Sequence, residues 1–99
     1  MAKVLLVCGA GMSTSILMKK LEKYAADNGR DLTIAARGAD AAPEVAADYD
    51  CILVGPQIGY RKDAIAQECG KPAAVIPPQD YGIGNCANIF KLIDQLEGK

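Results

Sequence analysis

The chain has 99 residues, with 11 Lys+Arg against 12 Asp+Glu, four Cys, no His and no Trp. A chain this short is expected to form one domain over residues 1–99, and its 51% hydrophobic content can supply a core, which excludes a disordered chain. The near-neutral balance speaks against a nucleic-acid partner, and the absence of His excludes His-based triads and His-ligated metals, leaving Cys, Ser or Thr for nucleophilic chemistry.

Lys3 to Cys8 is apolar on both faces, the pattern of a strand buried inside a parallel sheet. Gly9 to Ser15 is a run of small and hydroxyl residues, and from Ser13 the pattern turns helical. Leu17, Leu21, Tyr24 and Ala25 form the inward stripe, Lys19, Lys20, Glu22 and Lys23 face away, and Asn28-Gly29 stops the helix. A second strand is expected over Asp31 to Arg37 and a short Ala-rich helix over Ala41 to Asp48, with Pro43 near its first turn. Asp50 to Gly55 is the third strand, broken by Pro56-Gln57. Ile58 to Cys69 is expected to be helical until Gly70-Lys71-Pro72 ends it, and Ala73 to Ile76 is a short fourth strand ended by Pro77-Pro78. Tyr81 to Asn85 is expected as a loop before a last helix whose stripe is Cys86, Ile89, Phe90, Ile93 and Leu96.

Strands alternating with helices imply right-handed βαβ units and an open parallel sheet with helices on both faces, a three-layer α/β fold. Such sheets take ligands at the carboxyl ends of their strands, which directs attention to the segment after the first strand. No apolar run approaches the roughly 20 residues of a membrane span, so no membrane insertion is expected. No signal-peptide pattern precedes the first strand, and no CxxC pair occurs, so reduced thiols, a cytoplasmic location and no metal site are the expectation.

Cys8 falls where the first strand ends. Small residues after it let backbone N–H groups converge, Gly9 and Gly11 permit left-handed angles, and Ser13, Thr14 and Ser15 add hydroxyls at the start of a helix. The same field that attracts an anion favours a thiolate, making Cys8 a candidate nucleophile. Against this stands a plainer role, a Gly-rich turn that only brings helix and strand together. Cys51, Cys69 and Cys86, one mid-strand and two on helix stripes, are expected to be packing thiols.

The segment lacks the Gly-Lys-Ser/Thr of a Walker loop, and Thr14 stands where a dinucleotide fingerprint needs Gly. A tyrosine-phosphatase loop is closer, but its Arg is missing and no Asp-Pro supplies a general acid. Such a loop can hold phosphate on sulfur and is poorly equipped to hydrolyse it off. Gln57 and Tyr60, after the third strand, fit either partner docking and loop support or a plain helix start. Arg61 and Lys62 fit either an acidic partner surface or an ordinary solvated pair.

The stretch Leu5 to Ser15, the block Ile52-Leu53-Val54-Gly55-Pro56-Gln57-Ile58 with Tyr60 beyond it, and Tyr81-Gly82 together resemble the enzyme IIB component of the bacterial sugar phosphotransferase system (PTS), lactose/cellobiose/chitobiose type. The resemblance covers essentially the whole chain. It implies a four-stranded parallel sheet of order 2-1-3-4, like the low-molecular-weight tyrosine phosphatase fold. It further implies phosphate taken from a phosphohistidine of enzyme IIA onto Cys8 and passed to a sugar, such as cellobiose, chitobiose or lactose, bound by the membrane component enzyme IIC. Catalytic Cys8 would be cradled by Gly9, Ala10, Gly11, Met12, Ser13, Thr14 and Ser15, with Gln57, Tyr60 and Tyr81 in docking. No cofactor is expected, and a monomer is the simplest default. Gly9 stands where relatives often have Ser, and Asn85-Cys86 where they often have Asp-Gly. A low-molecular-weight phosphatase or arsenate-reductase-like enzyme and a flavodoxin-like mononucleotide-binding module remain as alternative functions.

Overall fold

The computed structural model describes residues 2–7 and 14–98. Four strands, β1 (Ala2–Val7), β2 (Leu32–Arg37), β3 (Cys51–Val54) and β4 (Ala73–Val75), form one parallel sheet in the order β2-β1-β3-β4. The register sets Val7 beside Arg37 and Val54, and Val54 beside Val75, so the four carboxyl ends are level. Beyond them the pairing continues, as Gly55 N–H donates to Val7 O at 2.8 Å and Ile76 N–H to Val54 O at 3.0 Å.

The two central strands are apolar on both faces because both faces are covered. Val4, Leu6, Cys51 and Leu53 point to one side, where they pack with Leu17, Leu21 and Ala25 of α1 (Thr14–Asp27) and with Ile89, Phe90 and Ile93 of α5 (Cys86–Leu96). Leu5, Val7, Ile52 and Val54 point to the other, against Ala42 of α2 (Ala42–Val45) and Ile65 of α3 (Lys62–Cys69). Alternation of side-chain direction along each strand thus splits one apolar run between two cores. At the sheet's opposite end Arg30 ties α1 to α5. It pairs with Asp94, the NH1–Oδ2 bond being 3.2 Å, and its guanidinium lies 4.6 Å over the Phe90 ring.

Several expected elements are redrawn. Residues 41–48 are not one helix but α2 followed by a 3-10 turn, Ala46–Asp48. The helix expected from Ile58 opens instead as a 3-10 turn over Pro56–Arg61, with Ile58 off helical angles at φ −124°, ψ 27°, and becomes α3 at Lys62. Close packing explains the detour: a Cβ on Gly59 would lie 3.1 Å from Val75 Cγ1, so the turn is pressed against β4 where only Gly fits without displacement.

The largest correction concerns the segment after β4. The expected loop at Tyr81 to Asn85 is mostly helix, α4 (Pro78–Ile83), with Pro78 in the first turn. A proline there lacks only an N–H that the helix could not have used, and its fixed φ suits the first turn. Gly84 ends α4 at φ 66°, ψ 48°, and Asn85 caps α5, its Oδ1 accepting the Asn88 N–H at 3.3 Å. Asp80, 5% exposed, fastens the junction by accepting from Asn88 Nδ2 at 3.2 Å.

Gly84 is required by its backbone. Its positive φ costs a side-chain-bearing residue about 1–2 kcal/mol, whereas a Cβ there would meet, at 2.7 Å, only the Cδ of the exposed and flexible Lys20 side chain, which can swing aside. Gly84→Ala is therefore expected to lower stability by about 1–2 kcal/mol, read as a drop in the urea midpoint. Gly82→Ala makes the control, since a Cβ at Gly82 meets nothing within 4 Å.

Candidate functional site

Cys8, Gly9, Ala10, Gly11, Met12 and Ser13 lie outside the described residues. Their flanks are described. Val7 ends the central strand β1, and Thr14 opens α1, so the segment leaves the sheet at its carboxyl edge and joins the start of a 14-residue helix. Ser15, in the first turn of α1, is exposed.

The other candidates come from the connections after β3 and β4. Gln57 and Tyr60 stand on the 3-10 turn Pro56–Arg61 and both face solvent, Tyr60 with 86% of its surface exposed. Tyr81 does not project from a loop. It is half-buried on α4, packed on the core beneath α1 and α5. There it lines a cavity of about 300 Å³ with Ile16, Leu17, Lys20, Gly82 and Gly84. Sequence patterning did not reveal this cavity, because it arises from the approach of α4 to α1.

The large apolar side chains left exposed among the described residues are Ile16 (61%), Tyr60 (86%) and Ile83 (69%). They follow the carboxyl ends of β1, β3 and β4 respectively. Single exposed apolar residues need no explanation, but three gathered at one sheet edge suit a surface that meets another protein. Arg61 and Lys62 adjoin Tyr60, and Lys62 Nζ lies 3.5 Å from Asp63 Oδ1, an exposed pair of little energetic weight.

The three described thiols are all held protonated at neutral pH. Cys51, fully buried mid-sheet, is pushed up to about 12, first by burial and then by the charges of Glu97 and Asp50. Burial also raises Cys69, reinforced by Glu68. Cys86 is raised by burial as well, with the Lys20 charge and a backbone hydrogen bond pulling the other way. Cys69 and Cys86 are half-buried rather than enclosed, Cys86 Sγ donating to Gly84 O at 3.4 Å. Among the described residues no group of three Cys, Asp or Glu side chains is placed to hold a metal ion, and no helix is long and apolar enough to cross a membrane.

The sequence matches the family model described as PTS system, Lactose/Cellobiose specific IIB subunit, over residues 3–92. It is 40% identical over 88 residues to the PTS system cellobiose-specific EIIB component of Lactococcus lactis subsp. lactis, covering 81% of this chain and 82% of that protein. It is 36% identical over 88 residues to the PTS system oligo-beta-mannoside-specific EIIB component of Bacillus subtilis, covering 86% and 85%. Among solved structures, the cellobiose-specific phosphotransferase IIB component protein from Borrelia burgdorferi superposes with a TM-score of 0.79 at 34% identity, over 98% of this chain and 92% of that one.

Proposed function

Because the chain belongs to the lactose/cellobiose-specific IIB subunit family of the PTS system, we propose that it is a phosphoryl carrier that holds phosphate on Cys8. The donor is a phosphohistidine of enzyme IIA, and the acceptor is a sugar bound by the membrane component enzyme IIC. The observation that carries this reading is the family match over residues 3–92, which spans Cys8 and the whole 9–15 segment. The absence of His fits a domain whose phosphohistidine donor must be another protein.

The chemistry needs little from the chain beyond a thiolate and a cradle. Cys8 Sγ attacks phosphorus, an S–P bond forms, and the P–N bond of the phosphohistidine breaks. The leaving imidazole nitrogen takes up a proton equivalent to the one the thiol has lost. Backbone N–H groups and hydroxyls over Gly9, Ala10, Gly11, Met12, Ser13, Thr14 and Ser15 receive the phosphoryl oxygens, aided by the N-terminal dipole of α1. In the second transfer a sugar hydroxyl oxygen attacks phosphorus, the S–P bond breaks, and thiolate leaves. The hydroxyl proton goes to a base outside this chain.

Docking of both partners is assigned to the edge that bears Gln57, Tyr60 and the Tyr81 cavity. The domain then acts as a cytoplasmic monomer that meets donor and acceptor in turn. The names of its relatives, cellobiose-specific and oligo-beta-mannoside-specific, favour a β-linked sugar. Incubation with phosphorylated enzyme IIA of the same system tests the assignment. One phosphoryl group is expected, mapped by mass spectrometry to the peptide containing Cys8. A phosphoryl group mapped to any other residue, or none transferred, overturns it.

A further inference from the structure

The transfer chemistry makes no use of the side chains that line the cavity between α1 and α4. Ile16, Leu17 and Lys20 form its α1 wall, and Tyr81, Gly82 and Gly84 form the opposite one. We propose that this groove is an anchor site for enzyme IIA, taking an apolar side chain of the donor while Lys20 meets a carboxylate beside it; this rests on the reading of the chain as the carrier that enzyme IIA phosphorylates.

The groove is held open by the way α4 is fastened. Pro78 stands in its first turn, the left-handed Gly84 ends it, and buried Asp80 accepts from Asn88 of α5. Cys86 Sγ donates to Gly84 O across the same turn. Tyr81 is thereby fixed against the core cluster beneath α1 while still lining the cavity. The two glycines present backbone where larger residues would narrow the space, and a Cβ on Gly82 would meet nothing within 4 Å. Walls already in place need little ordering when a partner binds. The volume of about 300 Å³ lies at the small end of the about 300–1,000 Å³ typical of small-molecule sites, a scale that suits an inserted side chain better than a cofactor.

Two observations specify the occupant. Ile16, which lines the groove, is 61% exposed, and Ile83, set between the two lining glycines, is 69% exposed. Apolar side chains bordering an open pocket suit the centre of an interface, where an inserted apolar anchor removes them from water. The second observation is charge. Lys20 is exposed, and its Nζ lies 3.0 Å from a Cβ built on Gly84, which places the ammonium at the α4 wall. Among the described residues, ion pairs join Lys23 to Asp27, Arg30 to Asp94 and Lys62 to Asp63, and Lys20 belongs to none of them. Asp80, the carboxylate of α4, is committed to Asn88. A carboxylate on the partner therefore completes the site. The donor fits this charge better than the acceptor does. A phosphorylated donor arrives with negative charge that an exposed cation attracts, whereas the accepting group is a neutral sugar hydroxyl.

The test measures association of the full chain with enzyme IIA of the same system by isothermal titration calorimetry. Wild type is compared with Ile83→Ala, Lys20→Glu and, as a control for net charge, Lys91→Glu, an exposed position on α5 outside the groove. Ile83→Ala is expected to weaken binding about fivefold or more. Lys20→Glu is expected to weaken it about five- to tenfold, a loss that shrinks with added salt. Lys91→Glu stays within about twofold of wild type. All three keep the wild-type urea midpoint, since each altered side chain is exposed. Either groove variant binding enzyme IIA as tightly as wild type overturns the proposal, as does a Lys91→Glu loss equal to that of Lys20→Glu. Unaltered binding of enzyme IIA with impaired delivery to the sugar on enzyme IIC assigns the groove to the acceptor and overturns it too. Failure of the wild type to take phosphate from enzyme IIA instead overturns the carrier reading, and the groove assignment falls with it.

Discussion

Cys8→Ser is expected to abolish phosphate uptake from phosphorylated enzyme IIA, a loss on the order of a thousandfold or more. The substitution exchanges one atom, so the proposed cradle and the α1 dipole are retained. What is removed is the thiol that the proposed transfer uses as its nucleophile, since a serine hydroxyl is far less acidic and a chain without His offers it no imidazole base. No other sulfur can take its place. Cys51 titrates at about 12 inside the sheet, and burial holds Cys69 and Cys86 in the thiol form. The check is direct: equal amounts of wild type and Cys8→Ser are exposed to the phosphorylated donor, and label is counted after the donor is removed. Label retained by Cys8→Ser would place the acceptor elsewhere. Circular dichroism and urea melts that match the wild type are expected to accompany the loss.

The strands and the two-sided core were legible because they depend on local pattern. Val4 to Val7 and Cys51 to Val54 are unbroken apolar runs, which only a strand covered on both faces tolerates. The stripe Leu17, Leu21 and Ala25 likewise names the inner face of α1 without reference to anything else. The order β2-β1-β3-β4 came from family resemblance rather than from pattern, because strand neighbours are set by packing between elements distant in sequence. The segment after β4 was misjudged for a specific reason. Pro77-Pro78, Gly82 and Gly84 are all breakers when considered singly, yet Pro78 occupies a first turn and Gly84 a helix end, the two places where a helix favours them. Once α4 is a helix, Tyr81 turns inward, Asp80 becomes a buried latch and a cavity opens toward α1. Lys20 was legible in part. Periodicity puts it on the solvated face of α1, and it is exposed; that its side chain lies against Gly84, 64 residues away in sequence, is a contact no helical pattern can report.

Leu6→Ala is the substitution expected to damage the fold most. Leu6 is fully buried near the carboxyl end of β1, between β2 and β3, and packs with Leu17 and Leu21 of α1 and Ile89, Phe90 and Ile93 of α5 in one cluster. Truncation removes three carbons from a site whose neighbours belong to a sheet and two helices, so collapse into the void would have to move whole elements. The cost is about 3–5 kcal/mol, against a total stability of about 5–15 kcal/mol for a domain of this size. Urea unfolding should show the midpoint falling with little change in slope. An exposed apolar residue at the same edge behaves oppositely. Ile16→Ala removes a side chain that is 61% exposed and should leave the midpoint within the error of the measurement, while weakening association with enzyme IIA. The pair of variants separates apolar surface that holds α1 on the sheet from apolar surface proposed to meet a partner. If Leu6→Ala shifted the midpoint by no more than Ile16→Ala, the cluster beneath α1 would not be what holds α1 on the sheet.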